Sequence, residues 1–442
     1  MKILFVSLGC DKNLVDTEMM LGLLEAKGHS FTDDEEEAEA VIVNTCCFIG
    51  DAKEESINTL LEFAKKREEG SIRALLACGC LAQRYHDEIR KEIPEVDAIV
   101  GTNAIEEIVK ALDGVIAGTP ENYLRDINAA PAAGLPQIVT TGGHYAYLKI
   151  AEGCDKRCTY CIIPKVRGRY RSIPMETLIR EAQALADKGV KELILVAQET
   201  TLYGVDLYGE KSLPELLRRL AKIAGIYWIR ILYCYPEEIT EELIEVIATQ
   251  PKICHYLDIP IQHASDAVLR RMGRKTDQAS LRAMIGRLRE EIPDICLRTT
   301  LISGFPGETQ EDFEELYNFV DELEFDRLGV FPYSQEEDTV AAAMEDQIPE
   351  EVKCQRRDEL MELQQEIAFE KAKDMIGREL VVMIEGKVAE EDTYVARTYR
   401  DAPNVDGYLF VNSTASFMTG DLVKVQVTDA NEYDLIGEVC HE

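Results

Sequence analysis

Two rhythms of apolar residues alternate along the first hundred or so positions. KILFVS, AVIVNT, IRALLAC and VDAIVG are short continuous runs, whereas NLVDTEMMLGLLEAKG, AKEESINTLLEFAKKREEG and LAQRYHDEIRKEI place apolar residues three and four apart. The first rhythm predicts strands and the second amphipathic helices. Strand–helix alternation of this kind implies an open parallel α/β sheet over residues 1–113. Residues 114–143 lose the periodicity and gain Gly, Pro and Ala, which marks a linker. From Tyr145 the alternation resumes on a longer beat, with strands expected at YAYLKIAE, ELILVAQ, WIRILY, HYLDIP, CLRTTLIS and RLGVFPY. Six βα units without a seventh or eighth predict a partial (β/α)6 barrel over 144–349, a class in which chemistry collects at the C-terminal strand ends. Residues 350–376 form one long charged helical connector, and 377–442 then switch to period two in five short segments, the pattern of a small antiparallel β-barrel. The expected class is therefore α/β in its first two units, closed by an all-β module.

No run of about 18 apolar residues occurs, so no membrane span is expected. The opening MKILFVSLGCDKN is too short in its apolar part for a signal segment and reads as a first strand, which points to the cytoplasm. The net charge of −34 describes a surface that repels nucleic-acid phosphate and attracts basic partners.

Thirteen cysteines are many for such a chain. Cytosolic thiols stay reduced, so metal binding is the stronger account wherever spacing is tight. Scattered Cys234, Cys254, Cys296, Cys354 and Cys440 read as small buried hydrophobes. Cys154, Cys158 and Cys161 are different: they form C-x3-C-x2-C, for which random placement predicts roughly 0.01 matches in the chain. Three thiolates on one loop can hold three irons of a [4Fe–4S] cluster and leave the fourth open. A structural zinc site would want a fourth ligand, and none lies nearby in sequence. The loop follows the first strand of the predicted barrel and so sits at its mouth. It resembles the cluster loop of the radical S-adenosylmethionine (SAM) superfamily. That resemblance implies that the open iron chelates SAM, that one electron releases a 5′-deoxyadenosyl radical, and that Tyr160 stands beside the adenine.

Other barrel-strand ends carry polar or glycine-containing segments, where ligand contacts are expected: Gln198, Glu199, Thr200 and Thr201; Gln262 and His263; Gly304 to Gly307. Gly304 and Gly307 would let the backbone approach a cofactor, or would simply make turns. Arg298 lies inside the apolar strand CLRTTLIS and should face a partner or the barrel interior.

Cys10 follows KILFVSLG, Cys46 follows AVIVNT and Cys80 follows ALLACG, each at the end of a strand and before a helix. In an open parallel sheet those ends share one crevice, so three thiolates would meet and could hold a second cluster. Spacing leaves Cys47 open as an alternative to Cys46, and Cys78 as an alternative to Cys80.

These features together resemble the methylthiotransferases: an N-terminal domain with three spaced cysteines, a radical barrel, and a C-terminal module like the TRAM domain. The family pattern picks Cys46 after Asn44-Thr45 and Cys80 within Gly79-Cys80-Leu81. VSLGCDKNLVDTE, NTCCFI, YLKIAEGCDKRCTYC, PIQHASDAVLRRM and FPYSQEEDT are most similar to its RimO branch. That branch places a methylthio group on the β-carbon of one aspartate of the small-subunit ribosomal protein numbered twelve. Glu199 departs from the branch, which usually carries Asp there. The resemblance implies two [4Fe–4S] clusters and SAM as cofactors, the auxiliary one delivering sulfur, with a reductant protein and a sulfur donor as partners.

The rival within the family is a tRNA adenosine methylthiotransferase. From Gly377 onward five basic residues face thirteen acidic ones, a net of −8. A barrel gripping RNA should be basic, so a basic protein substrate is expected and nucleic acid is not the expected main contact. A non-enzymatic iron–sulfur or zinc binding protein would leave the polar strand ends without a purpose. A radical methyltransferase without sulfur insertion would have no use for the N-terminal cysteines.

Overall fold

The computed structural model describes residues 1–440. Glu442, counted above among the acidic residues of the C-terminal module, lies outside them. The first unit is a five-stranded parallel sheet built from β1 (Lys2–Ser7), β2 (Ser30–Phe31), β3 (Ala40–Thr45), β4 (Ala74–Cys78) and β5 (Ala98–Val100), in the order β2-β1-β3-β4-β5. Four of these strands coincide with the apolar runs. The edge strand β2 has only two residues and no apolar run to reveal it. The helical segment Leu81–Ile93 is divided into Gly79–Arg84 and His86–Glu92 at Tyr85, whose backbone is not helical.

The segment between Ile116 and Tyr145 contains no helix or strand of two or more residues, yet it is not a loose tether. Tyr123 bridges to Val100, and the Glu18 carboxylate accepts hydrogen bonds from the Thr140 amide (2.6 Å) and Gln137 Nε2 (2.7 Å). The fully buried Glu18 is thereby satisfied.

The central sheet comprises β6 (Tyr145–Lys149), β9 (Glu192–Val196), β10 (Trp228–Ile231), β11 (Ile253–Asp258), β12 (Cys296–Ser303) and β13 (Arg327–Pro332), all parallel neighbours in chain order. The run YAYLKIAE does not stay in one strand. It breaks at Ile150, and β7 (Ala151–Glu152) turns away to pair antiparallel with β8 (Arg171–Ser172), carrying the cysteine loop with it. Alternation sorts the two faces. Ala146, Leu148, Leu193, Leu195 and Ile229 pack outward in the large core with the helices, while Tyr147, Ile194, Val196, Leu232 and Tyr256 face inward. The inner apolar cluster is shared: it also takes Val15 and Met19 of the helix Asp11–Glu25, and Met383 and Ala402 of the C-terminal module. One continuous core therefore runs through all three units.

After the helix Glu350–Lys373 the chain closes a five-stranded barrel from β14 (Glu379–Lys387), β15 (Thr393–Thr398), β16 (Leu409–Asn412), β17 (Leu422–Asn431) and β18 (Asp434–Val439). Four of its pairings are antiparallel and one, β16 with β18, is parallel. Charged side chains seal it against the central sheet. Glu192 accepts from Arg230 Nε (2.8 Å) and Arg397 Nη2 (2.7 Å), with all three side chains almost wholly buried. No helix among the described residues is long and apolar enough to cross a membrane.

Candidate functional site

Register explains why Cys10, Cys46 and Cys80 share a rim. Ser7 pairs with Asn44 and Asn44 with Cys78, so three adjacent strands end level. Cys10 precedes the helix Asp11–Glu25, Cys46 follows β3, and Cys80 lies in the first turn of Gly79–Arg84. Gly9 stands against Cys46 in a left-handed conformation (φ +91°), and a Cβ there would lie 2.9 Å from the Cys46 sulfur. The Cys46 amide donates to the buried Ser56 hydroxyl oxygen (2.9 Å), and that hydroxyl in turn donates to the Cys46 carbonyl (2.9 Å). Of the alternatives, Cys78 packs with Val100 and Ala104 on the other side of the sheet from Cys80, whereas Cys47 shares an apolar cluster with Cys80, Ile162 and Val166.

The second loop is equally braced. Gly153 (φ +79°) turns the chain out of β7 against the Arg169 carbonyl, where no side chain would fit. The Cys154 amide donates to Gly168 O (3.1 Å), Thr159 is bonded to Met272 O and Arg271 O, and Ala341 N reaches Thr159 O. Tyr235 places its hydroxyl 3.2 Å from the Cys158 sulfur. Gln198 uses both ends of its amide here, accepting from Gly153 N (2.8 Å) and donating to Glu152 (2.9 Å). Its visible role is therefore to pin the loop.

Burial pushes the Cys154 thiol up to about 12 and raises Cys161, Cys46 and Cys80 as well. Neutral thiols are weak ligands, and a bound cation reverses this because coordination removes the proton. The same rise at the buried Cys254 and Cys296, both pushed up to about 12, shows that burial alone produces it. Among the described residues no three His, Cys, Asp or Glu side chains converge closely enough to share one ion. A cluster makes a different demand, since each thiolate takes its own iron.

Glu199 is fully buried. Its Oε1 accepts from the Thr201 amide (2.8 Å) while Oε2 has no partner, and burial pushes the carboxyl up to about 7. An orphaned carboxylate oxygen beside the cysteine loop fits a ligand that brings N–H or O–H donors. Tyr160 packs edge-on against Phe305, with ring centroids 6.4 Å apart. Arg298 pairs with Asp258 (2.8 Å) and faces Asp406 (3.6 Å). At Gly304 (φ +68°) the space a Cβ would occupy is filled by Lys353, so the glycine lets the turn pack against the long helix. Arg271 likewise fills that space at Gly307. His263 is buried, accepting from Ser265 N (2.9 Å) with Glu308 3.5 Å away, which is loop packing.

Between the units lies a cavity of about 310 Å3 lined by Cys10, Asp11, Tyr147, Tyr233, Tyr256, Arg298 and the segment Ala402–Val405. Tyr233 and Gln262, at the ends of β10 and β11, hold positive φ (60° and 70°). Such strain persists where surroundings over-determine it, often at functional sites. Tyr233 is held by its amide to Asp258 (3.1 Å), its hydroxyl to Asp11 (3.2 Å), and Lys12 over its ring.

Five residues escaped the sequence reading. Tyr233 carries no local signal. Asn13 and Arg167 are buried polar hubs, and Arg167 lies only six residues beyond Cys161. Glu192 and Arg230, charged residues in apolar strand runs, showed the same signal that singled out Arg298.

Three family models match the chain: the Radical SAM superfamily over residues 148–320, the Uncharacterized protein family UPF0004 over 2–101, and the TRAM domain over 376–440. The chain is 60% identical over 437 residues to "Ribosomal protein uS12 methylthiotransferase RimO" of Lachnoclostridium phytofermentans, covering 99% of each chain. It is 50% identical over 442 residues to the protein of that name in Clostridioides difficile, covering 100% of this chain and 99% of that one. Among solved structures, the radical S-adenosylmethionine methyltransferase TsrM from Kitasatospora setae aligns with a TM-score of 0.54 at 14% identity, over 74% of this chain and 72% of that one. The cobalamin-dependent radical enzyme OxsB aligns with a TM-score of 0.55 at 13% identity, over 82% and 56%. At such identities the likeness is one of fold.

Proposed function

The chain belongs to the RimO family of ribosomal protein uS12 methylthiotransferases, and on that premise we propose that it inserts a methylthio group at the β-carbon of an aspartate of uS12, using two [4Fe–4S] clusters and SAM. The observation that supports this reading is the pair of cysteine trios, one at strand ends of each parallel sheet, with a cavity lined by Cys10 between the units. Cys154, Cys158 and Cys161 would hold the cluster that binds SAM, and Cys10, Cys46 and Cys80 the auxiliary one. Bound there, the first cluster would supply the electron for reductive cleavage of SAM, and the auxiliary cluster would supply sulfur.

The chain's own residues prepare that chemistry. Gln198 and Gly153 fix the loop, and the Tyr235 hydroxyl, 3.2 Å from the Cys158 sulfur, would donate to it once the cysteine is a thiolate, orienting the ligand and tuning its charge. The free oxygen of Glu199 accepts from SAM, and Tyr160 offers a ring face to the adenine. The cavity lined by Cys10, Tyr233 and Arg298 receives the substrate side chain beside the auxiliary site. A β C–H of aspartate is too weakly acidic for base catalysis near neutral pH, so hydrogen-atom abstraction is the fitting route.

Charge favours a protein over tRNA as substrate. Of the five basic residues of the C-terminal barrel, Arg397 is buried against Glu192 and Glu385, and Arg400 is paired with Asp326 (2.6 Å). Few cations remain to meet phosphate, while an acidic surface suits a basic ribosomal protein.

Anaerobic reconstitution tests the reading. The parent should bind about eight irons and the Cys10, Cys46, Cys80 triple alanine variant about four. That variant should still cleave SAM yet leave uS12 without the methylthio mass increment. About four irons in both proteins would overturn the two-cluster assignment, and modification of tRNA in place of uS12 would overturn the substrate.

A further inference from the structure

Arg167 sits in the unit that carries Cys154–Cys161, yet its side chain reaches into the N-terminal unit and is 2% exposed. Its Nε donates to the Cys80 sulfur at 3.3 Å. Its Nη1 donates to Asp16 (2.8 Å) and Glu152 (3.2 Å), and its Nη2 donates to the Asn13 side-chain oxygen. Asn13 is itself a hub, because its amide nitrogen donates to Leu8 O and Thr45 O, each 3.0 Å away, two residues before Cys10 and one before Cys46. A single guanidinium and a single amide therefore touch all three cysteine segments of the N-terminal rim. Through Glu152, which Gln198 links to Gly153, the same network reaches the loop of Cys154.

A bland account makes Arg167 a counter-ion for two buried carboxylates. Lys149 already contacts both, bonded to Asp16 and 2.8 Å from Glu152. The Nε–H aimed at sulfur is left unexplained by that account. Only arginine's planar fork serves an amide, two carboxylates and a sulfur together; a lysine offers one point charge.

We infer that Arg167 is a positioning residue for the auxiliary site: it holds the Cys80 sulfur from across the boundary between units and raises the reduction potential of the cluster bound there. The inference rests on the two-cluster reading. Its physical basis is that the reduced cluster carries one more negative charge than the oxidised one. A buried cation donating to a ligating sulfur therefore stabilises the reduced form more.

The experiment uses the full chain with Cys154, Cys158 and Cys161 changed to alanine, so that only the auxiliary cluster is loaded. In that background Arg167→Gln should bind the same iron and lower the potential. At a fixed poise the ratio of reduced to oxidised cluster should fall at least tenfold, which is about 59 mV for one electron. Pulsed EPR of the unsubstituted chain grown with 15N-arginine adds a readout that does not depend on the variant's folding. The reduced auxiliary cluster should couple to a labelled nitrogen, and Arg167→Lys should abolish that coupling. An unchanged potential at full iron content, or no labelled coupling, would overturn the inference alone. A parent that binds only about four irons would remove the two-cluster reading and the inference with it.

Discussion

Replacing Gly9 by alanine probes the N-terminal rim without touching a cysteine. Two costs arise. The backbone at φ +91° disfavours any side chain, at about 1–2 kcal/mol for a non-glycine residue in the left-handed region. The new Cβ would also lie 2.7 Å from Cys46 Cβ and 2.9 Å from its sulfur. Carbon atoms rest near 3.5–4.0 Å, so Cys46 must retreat by roughly 1 Å, whereas a metal ligand tolerates about 0.2 Å. Cys46 cannot retreat freely, since its backbone is tied on both sides to Ser56. A total penalty of roughly 2–4 kcal/mol is within the usual stability of a folded chain, so the fold should survive while the auxiliary site fails. Gly28→Ala is the control: its φ is +85°, yet nothing lies within 4 Å of a Cβ there. Anaerobic reconstitution should give about four irons for Gly9→Ala and about eight for Gly28→Ala. Full iron in Gly9→Ala, or equal loss in both variants, would refute the argument that contact with Cys46 decides the outcome.

Cys78→Ala should retain both clusters by iron and sulfide analysis, because its side chain packs with Val100 and Ala104 on the other side of the sheet from Cys80. Glu192→Gln should cost about 3–5 kcal/mol in denaturant titration, since it leaves Arg230 and Arg397 buried with weakened partners. Burial pushes Glu192 up, but Arg397 and Arg230 outweigh it and hold the carboxyl below its ordinary value. Its contribution is thus complete above the ordinary carboxylate range and lost as pH falls through the depressed value, so the parent's advantage over Glu192→Gln in thermal melts should shrink in acid. With the Glu199 carboxyl raised to about 7, SAM should bind more tightly as pH rises through that value and the carboxylate becomes available; Glu199→Gln should weaken binding about tenfold and flatten the pH profile in calorimetry. Thr309→Ala removes a capping box at the helix Gln310–Leu323 and should cost about 1 kcal/mol in the same denaturant titrations.

The alternation of apolar runs and helical periods, the period-two tail and the tight C-x3-C-x2-C spacing are local properties, and the sequence by itself determined them. Periodicity reports which face of an element is buried, so KILFVS, AVIVNT and CLRTTLIS coincide with β1, β3 and β12. The common rim of Cys10, Cys46 and Cys80 was legible too, because parallel strands joined by helices must end on one side. Tertiary structure decided the rest. A period-two run looks the same whichever way its neighbour points, so the parallel pairing of β16 with β18 left no trace in the residues. YAYLKIAE offers no break at Ile150; the break comes from Gly153 packing against the Arg169 carbonyl. Gly304 could serve a ligand or a turn in sequence, and only the long helix brings Lys353 into that space. Asn13 and Arg167 are ordinary polar residues in sequence, and they become buried hubs only because two units close over them, across separations of 87 residues to Cys80 and 154 between themselves. Local pattern records average burial along a face, whereas such contacts depend on how whole sheets dock. That docking is where charge, sulfur and cavity meet.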